Sequence, residues 1–222
     1  MRVRKPKTPH LQPEAVIKVA LEILDAEGLE NVTLRRIAEK LNVKAPALYW
    51  HFKNKRDITE DMAQAILAKV NLDRFNAPAN IDEWPLWITD LTHCIRNALI
   101  AHKDGGRVVA GASFGRAYNL QKILIHITRV LKQAGFDNLH ATLAGATIID
   151  YVWGFVIEEQ MGPDQEESKS VFLHKKHNGS YSEDDAFLEE MLEEYHKLSP
   201  TEIFDWGLQV IITGLKSTLK KT

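Results

Sequence analysis

Apolar residues recur along this chain at intervals of three and four, the spacing that lays a stripe along one face of an α-helix. After Pro13, a residue suited to a first helical turn, Val16, Val19, Ala20, Ile23 and Leu24 share a face, and Gly28 stands where a C-terminal cap belongs. A second, short helix is predicted behind the cap Thr33, with Leu34, Ile37, Ala38 and Leu41 inward. Asn42 and Val43 make a tight turn, and a third helix is predicted from Pro46 with Leu48 and Phe52 inward. Asn54, followed three residues later by Asp57, starts a fourth helix whose inner face is Ile58, Met62, Ala65 and Ile66. Three short helices thus feed a longer one.

A break over 76–82, around Pro78, precedes a helix from Pro85 to about residue 102, and a second break falls at 103–106. Further helices are expected over 107–112, 117–133 and 138–160. The span 161–185 holds Gly162-Pro163, Asn178-Gly179 and charge without periodicity, and is expected to be a long loop. Two last helices are predicted over 184–197 and 201–220. Little in the chain alternates like a strand, so the predicted fold class is all-α. Residues 143–157 are apolar almost all round, and Phe204, Trp206, Leu208, Val210, Ile211, Ile212, Leu215 and Leu219 cover more than one stripe. A helix apolar on two sides needs partners on both. One of them is expected to be a second copy of the chain, giving a homodimer; the central helix of a monomeric bundle shows the same pattern. The run 143–157 contains Asp150 and Gly154 and falls short of the roughly 20 residues needed to cross a bilayer, so it reads as buried core and no membrane segment is expected.

With 222 residues, 45% of them hydrophobic, the chain can bury a core without disulfides or metal. Its one cysteine, Cys94, has no intramolecular partner and no charged-then-apolar signal segment opens the chain, so a reducing, cytoplasmic setting is expected. The net charge of −2 averages over a division. Residues 1–56 carry 12 Lys and Arg against 6 Asp and Glu, a net of +6, and the rest carry 16 against 24, a net of −8. Four of the early cations, Arg2, Arg4, Lys5 and Lys7, belong to the start of the chain, so the asymmetry alone leaves open a basic arm with no target.

The segment TLRRIAEKLNVKAPALYWHFKNKR, 33–56, gives that charge a target. Two short helices joined by a tight turn have the layout of a helix-turn-helix, whose second helix enters a DNA major groove about 12 Å wide. With Leu48 and Phe52 inward, Lys44, Ala47, Tyr49, Trp50 and His51 face outward, Arg35 and Arg36 stand in the first turn of the preceding helix, and Lys53, Lys55 and Arg56 flank the next. Arg pairs with guanine, Tyr and His bond phosphate oxygens, Ala and Trp pack on thymine methyls, and Lys at a helix N-terminus suits a phosphate. An isolated Tyr-Trp pair is as easily a packing feature; the helix spacing is what turns the reading towards DNA.

The stretch AEGLENVTLRRIAEKLNVKAPALYWHFKNKRDI resembles the tetracycline-repressor (TetR) family of bacterial transcriptional regulators, through Gly28, Thr33, Ile37, Ala38, Leu41, Val43, Leu48, Tyr49, His51, Phe52 and Lys55. RNALIAHKDGGRVV (96–109), GFVIEEQ (154–160) and GLQVIITGLKSTLK (207–220) resemble the C-terminal domain of the tetracycline repressors within that family, so the likeness covers most of the chain. It implies a three-helix DNA-binding domain over 9–56 and an effector-binding, dimerising helical bundle over 57–222, with 57–70 as the linking helix. It further implies that Arg35 reads a base, that Lys44, Ala45 and Ala47 face the groove, that Tyr49, Trp50 and His51 contact backbone and thymine, and that Lys55 holds a phosphate of a double-stranded DNA operator. Ala45 and Ala47 depart from the larger polar groups of the tetracycline repressors, which implies a different operator sequence.

The resemblance also implies a small-molecule effector. Tetracycline repressors bind a drug–magnesium chelate through a histidine just after an H-x-D-G stretch; here that position is Val109, and two drug-clamping positions read Asn71 and Leu91. Glu158 matches the acidic residue that the partner subunit supplies. Valine cannot ligate Mg2+, which demands oxygen-rich octahedral surroundings. A metal-free, apolar or aromatic effector is expected instead, with Leu91, Ile95, Val109, Phe114, Tyr118 and Trp153 lining its pocket beside Glu158. Trp153 fits core as well as pocket, and Asp150 is either a ligand contact or a structural carboxylate satisfied by a neighbouring donor.

Other readings have less support. Gly111-Ala112-Ser113-Phe114-Gly115 fits the G-x-S-x-G elbow of an α/β-hydrolase, with Asp150 and His196 following in the required order, but that elbow needs a strand before it and a sheet around it. His174 and His177 lie in a polar stretch and are expected to be solvated, so neither a metal site nor a cofactor is expected. The acids Glu166, Glu167, Glu183, Asp184 and Asp185 read as solvated linker or as a screen over the pocket mouth. A DNA-binding dimer without a ligand is the remaining alternative to a ligand-responsive repressor.

Overall fold

A proline and two capping side chains set where the first helices begin in the computed structural model, which describes residues 12–162 and 172–219. Arg2, Arg4, Lys5, Lys7, Glu166 and Glu167 lie outside the described residues. Helix α1 (Pro13–Glu27) starts on its proline and stops at Gly28, whose φ of +87° is open to glycine at little cost and whose N–H reaches Leu24 O at 2.9 Å. Thr33 Oγ1 accepts from Arg36 N at 3.2 Å and opens α2 (Leu34–Lys40). Val16, Ala20, Ile23 and Leu24 of α1 and Ile37 and Ala38 of α2 form a dry core with Leu48 and Phe52. Asn42, at φ +52°, turns the chain between them in a left-handed conformation that Asn tolerates better than most residues.

The third helix departs from expectation. It is a 3-10 turn, Ala45–Ala47, continued by hydrogen-bonded turns to His51. Ala47, Leu48 and His51 bond three residues back, and Phe52 reaches four residues back to Leu48 O. Pro46 stands in its first turn, and Leu48 and Phe52 pin the segment to the core.

Asn54 Oδ1 accepts from Asp57 N at 3.1 Å and starts α3 (Lys55–Leu67), as the cap pattern predicts; this linking helix begins two residues before the 57 that the resemblance implies. Two 3-10 turns, Leu72–Arg74 and Ile81–Glu83, lead to α4 (Trp84–Ile100), α5 (Gly105–Ala110), α6 (Tyr118–Gln133) and α7 (Asn138–Met161). Helix α4 buries Trp84, Trp87, Ile88, Leu91, Ile95 and Leu99. Trp84 meets Phe136 edge-on, and Trp87 stacks on His126 and donates Nε1 to Asn76 O at 2.9 Å. Helix α3 packs on α5, α1, α4 and α6.

Helix α7 is buried along one stripe, Ala141, Ala144, Gly145, Ile148, Ile149, Val152 and Val156, where Gly145 lets Leu124 and Ile127 of α6 approach closely. Leu143, Asp150 and Gly154 are exposed in the single chain, so 143–157 is half core rather than fully buried core. By length and composition α7 is apolar enough to cross a membrane; its packed stripe makes it a two-faced helix of a folded body.

The chain divides into two compact units, through Ile157 and from Glu158. The second corrects the expected loop over 161–185. Helix α7 runs to Met161, residues 172–177 are helical, and Ser182 and Asp185 form a capping box that opens α8 (Glu183–Tyr195), followed by α9 (Pro200–Leu219). Periodicity missed this segment because polar pairs, not an apolar stripe, hold it. Lys175 pairs with Asp185, Tyr181 donates to Glu189, and Lys176 lies 2.7 Å from Glu189. No strand occurs among the described residues.

Candidate nucleic-acid interface

Two buried side chains orient the exposed ones on the short segment after α2. Leu48 and Phe52, four residues apart, are 0% and 2% exposed, which turns Tyr49, Trp50 and His51 outward. Trp50 is 89% exposed and Tyr49 54%. Lys44 is exposed at the start of the segment, with Ala45 and Ala47 half-buried beside it. A large aromatic left this open forgoes about 1.5–3 kcal/mol of apolar burial, and here it lies in a row of hydrogen-bonding and cationic groups.

Arg35, with 88% of its side chain exposed, holds Glu39 across one turn of α2 at 3.0 Å. Arg36 differs in role. Its guanidinium forks onto Glu27 at 3.0 and 3.2 Å, clipping α2 to the end of α1 and holding the Glu27 carboxyl below its ordinary range. Lys55 Nζ donates to Leu29 O at 2.9 Å, so it closes the turn after α1 while standing at the start of α3.

Two latches tie this head to the rest of its unit, and sequence patterning missed both. In one, Asp25 accepts from Lys103 N at 3.2 Å and meets His102 Nδ1 at 3.0 Å, Asp104 accepts from Leu29 N at 2.9 Å, and Arg107 holds Glu30 at 3.0 Å and Asp104 at 3.2 Å. Hydrogen bonds to Glu30 and Asp104 raise the Arg107 pKa further. In the other, Arg116 lies 3.0 Å from Asp57 and 2.8 Å from the buried Glu60, which also pairs with Arg56. The Arg116 hydrogen bond and the N–H of Lys53 lower the Asp57 carboxyl. Gln64 completes this latch, donating to Arg116 O and accepting from Asn119 N. The only sequence signal was the break at 103–106.

The residues expected around an effector divide. Leu91 and Ile95 on α4 and Val109 on α5, which pack together, are fully or almost fully buried. Phe114 and Tyr118 are more than half exposed after α5 and at the start of α6, and Asp150 is exposed on α7. Trp153 is half-buried with its Nε1 enclosed and without a hydrogen-bond partner, and Glu158 is exposed. A cleft of about 560 Å³ lies elsewhere, between α1, α3 and the end of α4. Ser113 follows a helix, not the strand that a nucleophile elbow requires. His174 is paired within its own turn, 3.2 Å from the Asn178 amide.

Comparison with known proteins places this arrangement. Residues 16–62 match the family model described as bacterial regulatory proteins, tetR family, and residues 77–219 match the model described as tetracyclin repressor-like, C-terminal domain. The chain is 36% identical over 206 residues to the tetracycline repressor protein class C of Escherichia coli, covering 93% of this chain and 91% of that one. A variant of TetR from Acinetobacter baumannii AYE in complex with minocycline superposes with a TM-score of 0.71 at 31% identity, over 93% of this chain and 94% of that one. A structure of BioQ with its natural double-stranded DNA operator gives 0.67 at 26% identity, over 93% and 99%. The capped α1–α2 pair, the outward aromatic segment and both family matches make one identification: the chain belongs to the TetR family of bacterial regulatory proteins, ligand-responsive transcriptional repressors that bind DNA operators.

Proposed function

We propose that the chain acts in the cytoplasm as a homodimer that represses transcription at a palindromic operator and is released by a metal-free, largely apolar effector, with no enzymatic role. The observation that carries the DNA reading is the outward row Lys44, Tyr49, Trp50 and His51, set by the burial of Leu48 and Phe52. Arg35 stands beside it with Ala45 and Ala47 at the groove, and Lys55 exchanges its carbonyl partner for a phosphate on binding. Apolar side chains left open on α7 and α9, among them Leu139, Leu143, Trp206 and Val210, support a second copy as their cover. The operator-bound BioQ structure supports the same reading by similarity.

The effector reading rests on Val109, an apolar side chain 1% exposed at the position where the resemblance implies a metal ligand. A magnesium chelate does not fit there. Leu91 and Ile95 give the site an apolar wall, Trp153 Nε1 offers an unused donor, Phe114, Tyr118 and Asp150 close round the bound molecule, and the resemblance implies that Glu158 is contributed by the second copy. Binding favours the conformer in which the two latches carry α3 and the reading head away from operator spacing. Calorimetry tests the ligand class: tetracycline with 5-fold-varied Mg2+ gives no saturable heat, and a magnesium-dependent isotherm overturns the assignment. A gel-shift titration with an effector found by screening then loses the shifted band; unchanged operator affinity at ligand saturation refutes the release mechanism.

A further inference from the structure

The cleft of about 560 Å³ belongs to neither the reading surface nor the expected effector residues. One wall is a stripe along α1 made of Glu14, Ile17, Lys18, Leu21, Glu22 and Asp25, and the other is Asp61, Gln64 and Ala65 on α3 with Lys69 just beyond its end, Pro13 and His102 closing the two ends. Both stripes follow helical spacing, so the cleft is the outward opening of the α1–α3 contact whose inner side is the dry core of Val16, Ala20, Ile58 and Met62. Ile17, Leu21, Ala65 and the Pro13 ring give it an apolar floor. Its rim is charged unequally: four carboxylates face two ammonium groups. Gln64 is committed to Arg116 and Asn119, and Asp25 to His102 and Lys103, which leaves Glu14, Glu22 and Asp61 as the acidic groups facing a guest. The volume falls within the range of small-molecule sites.

We propose that this cleft is a ligand site of its own, taking an organic monocation with an apolar body, between the reading head and the linking helix. The apolar body covers Ile17, Leu21 and Ala65, and the cation sits against Asp61 and Glu22. Asp61 and Glu22 are exposed at the rim; partial desolvation raises the Asp61 carboxyl above its ordinary value, with Arg116 opposing and Asp57 and Glu60 adding to the rise, and a guest cation offsets that carboxylate repulsion. The site does not depend on the identity of the effector.

Fluorescence anisotropy with rhodamine 6G on the full-length protein tests this, with fluorescein as an anionic counterpart. Rhodamine 6G binds saturably, its affinity falls at least fivefold in the Asp61→Asn, Glu22→Gln double variant, binding is lost in Ala65→Phe, and Phe114→Ala leaves it unchanged; fluorescein does not bind. Retention of affinity in both cleft variants, loss in Phe114→Ala, equal binding of fluorescein, or absence of saturable binding each overturns the proposal. The double variant changes only surface carboxylates, so it decides the matter even if Ala65→Phe does not fold. Operator binding by the ligand-free protein, measured alongside, tests the repressor reading separately.

Discussion

Gly105, the first residue of α5, sits where the first latch is built, and a single methyl group there has a calculable effect. A Cβ at this position would lie 2.1 Å from Leu99 O and 3.1 Å from Leu99 C, the last-turn backbone of α4. Carbon and carbonyl oxygen need more than 3 Å, so the helix junction must open by about an ångström, and the obstacle is backbone rather than a side chain that can rotate away. Overpacking of a well-filled site costs about 1–3 kcal/mol, and the backbone clash puts Gly105→Ala at the upper end or beyond. For a chain of this size about 3 kcal/mol lowers Tm by roughly 6–12 °C. The same shift drags His102 and Asp104 off Asp25 and Leu29, weakening the coupling between head and body. Thermal unfolding followed by circular dichroism at fixed protomer concentration measures it. Gly115→Ala is the control, since nothing lies within 4 Å of its Cβ. A Gly105→Ala melt within about 2 °C of the parent, or equal losses in both variants, would mean that the α4–α5 junction is not closed against a Cβ.

Trp50→Ala separates function from stability. Covering about half of a tryptophan's roughly 200 Å² at ~25 cal/mol/Å² is worth about 2.5 kcal/mol, near seventyfold in operator affinity per protomer. Tm stays within 1 °C because the ring is 89% exposed; a destabilised variant or unchanged anisotropy titration contradicts the placement. Asp185 gives a pH test. Its carboxyl is held at about 2, below the ordinary 3.8, by the Lys175 hydrogen bond and then by Ser182. A folded pKa below the unfolded one means the contribution is full above about pH 4 and is lost as pH falls towards 2. The stability gap between the parent and Asp185→Asn, read by urea unfolding, is therefore open at pH 6 and closes near pH 2; a gap independent of pH rules this out.

The head was legible because its information is local. Thr33 and Asn54 cap the helices they were expected to cap, Gly28 ends α1, and Leu48 and Phe52 are buried while Tyr49 and Trp50 are not. Its third helix is a 3-10 turn continued by hydrogen-bonded turns, which an apolar pair four residues apart does not distinguish from a regular α-helix. The latches were not legible at all. Asp25 and His102 are 77 residues apart, as are Glu30 and Arg107, and nothing in pattern or propensity announces such pairs. The helical turn at 172–177 was hidden for a related reason, since charge pairs rather than an apolar stripe hold it, whereas the helix expected from 184 starts one residue earlier, at Glu183. Burial of Val109 followed from its type; the exposure of Phe114 and Tyr118 did not.

Selection of randomised DNA duplexes by the full-length protein tests whether the outward row on the head reads a two-fold operator. The expected result is enrichment of a palindrome whose half-sites are centred about one helical turn, roughly 34 Å, apart or a multiple of it, with binding that weakens steeply as salt rises and is lost in Trp50→Ala. Absence of any enriched sequence, or enrichment of a site without two-fold symmetry that Trp50→Ala binds equally well, would contradict it.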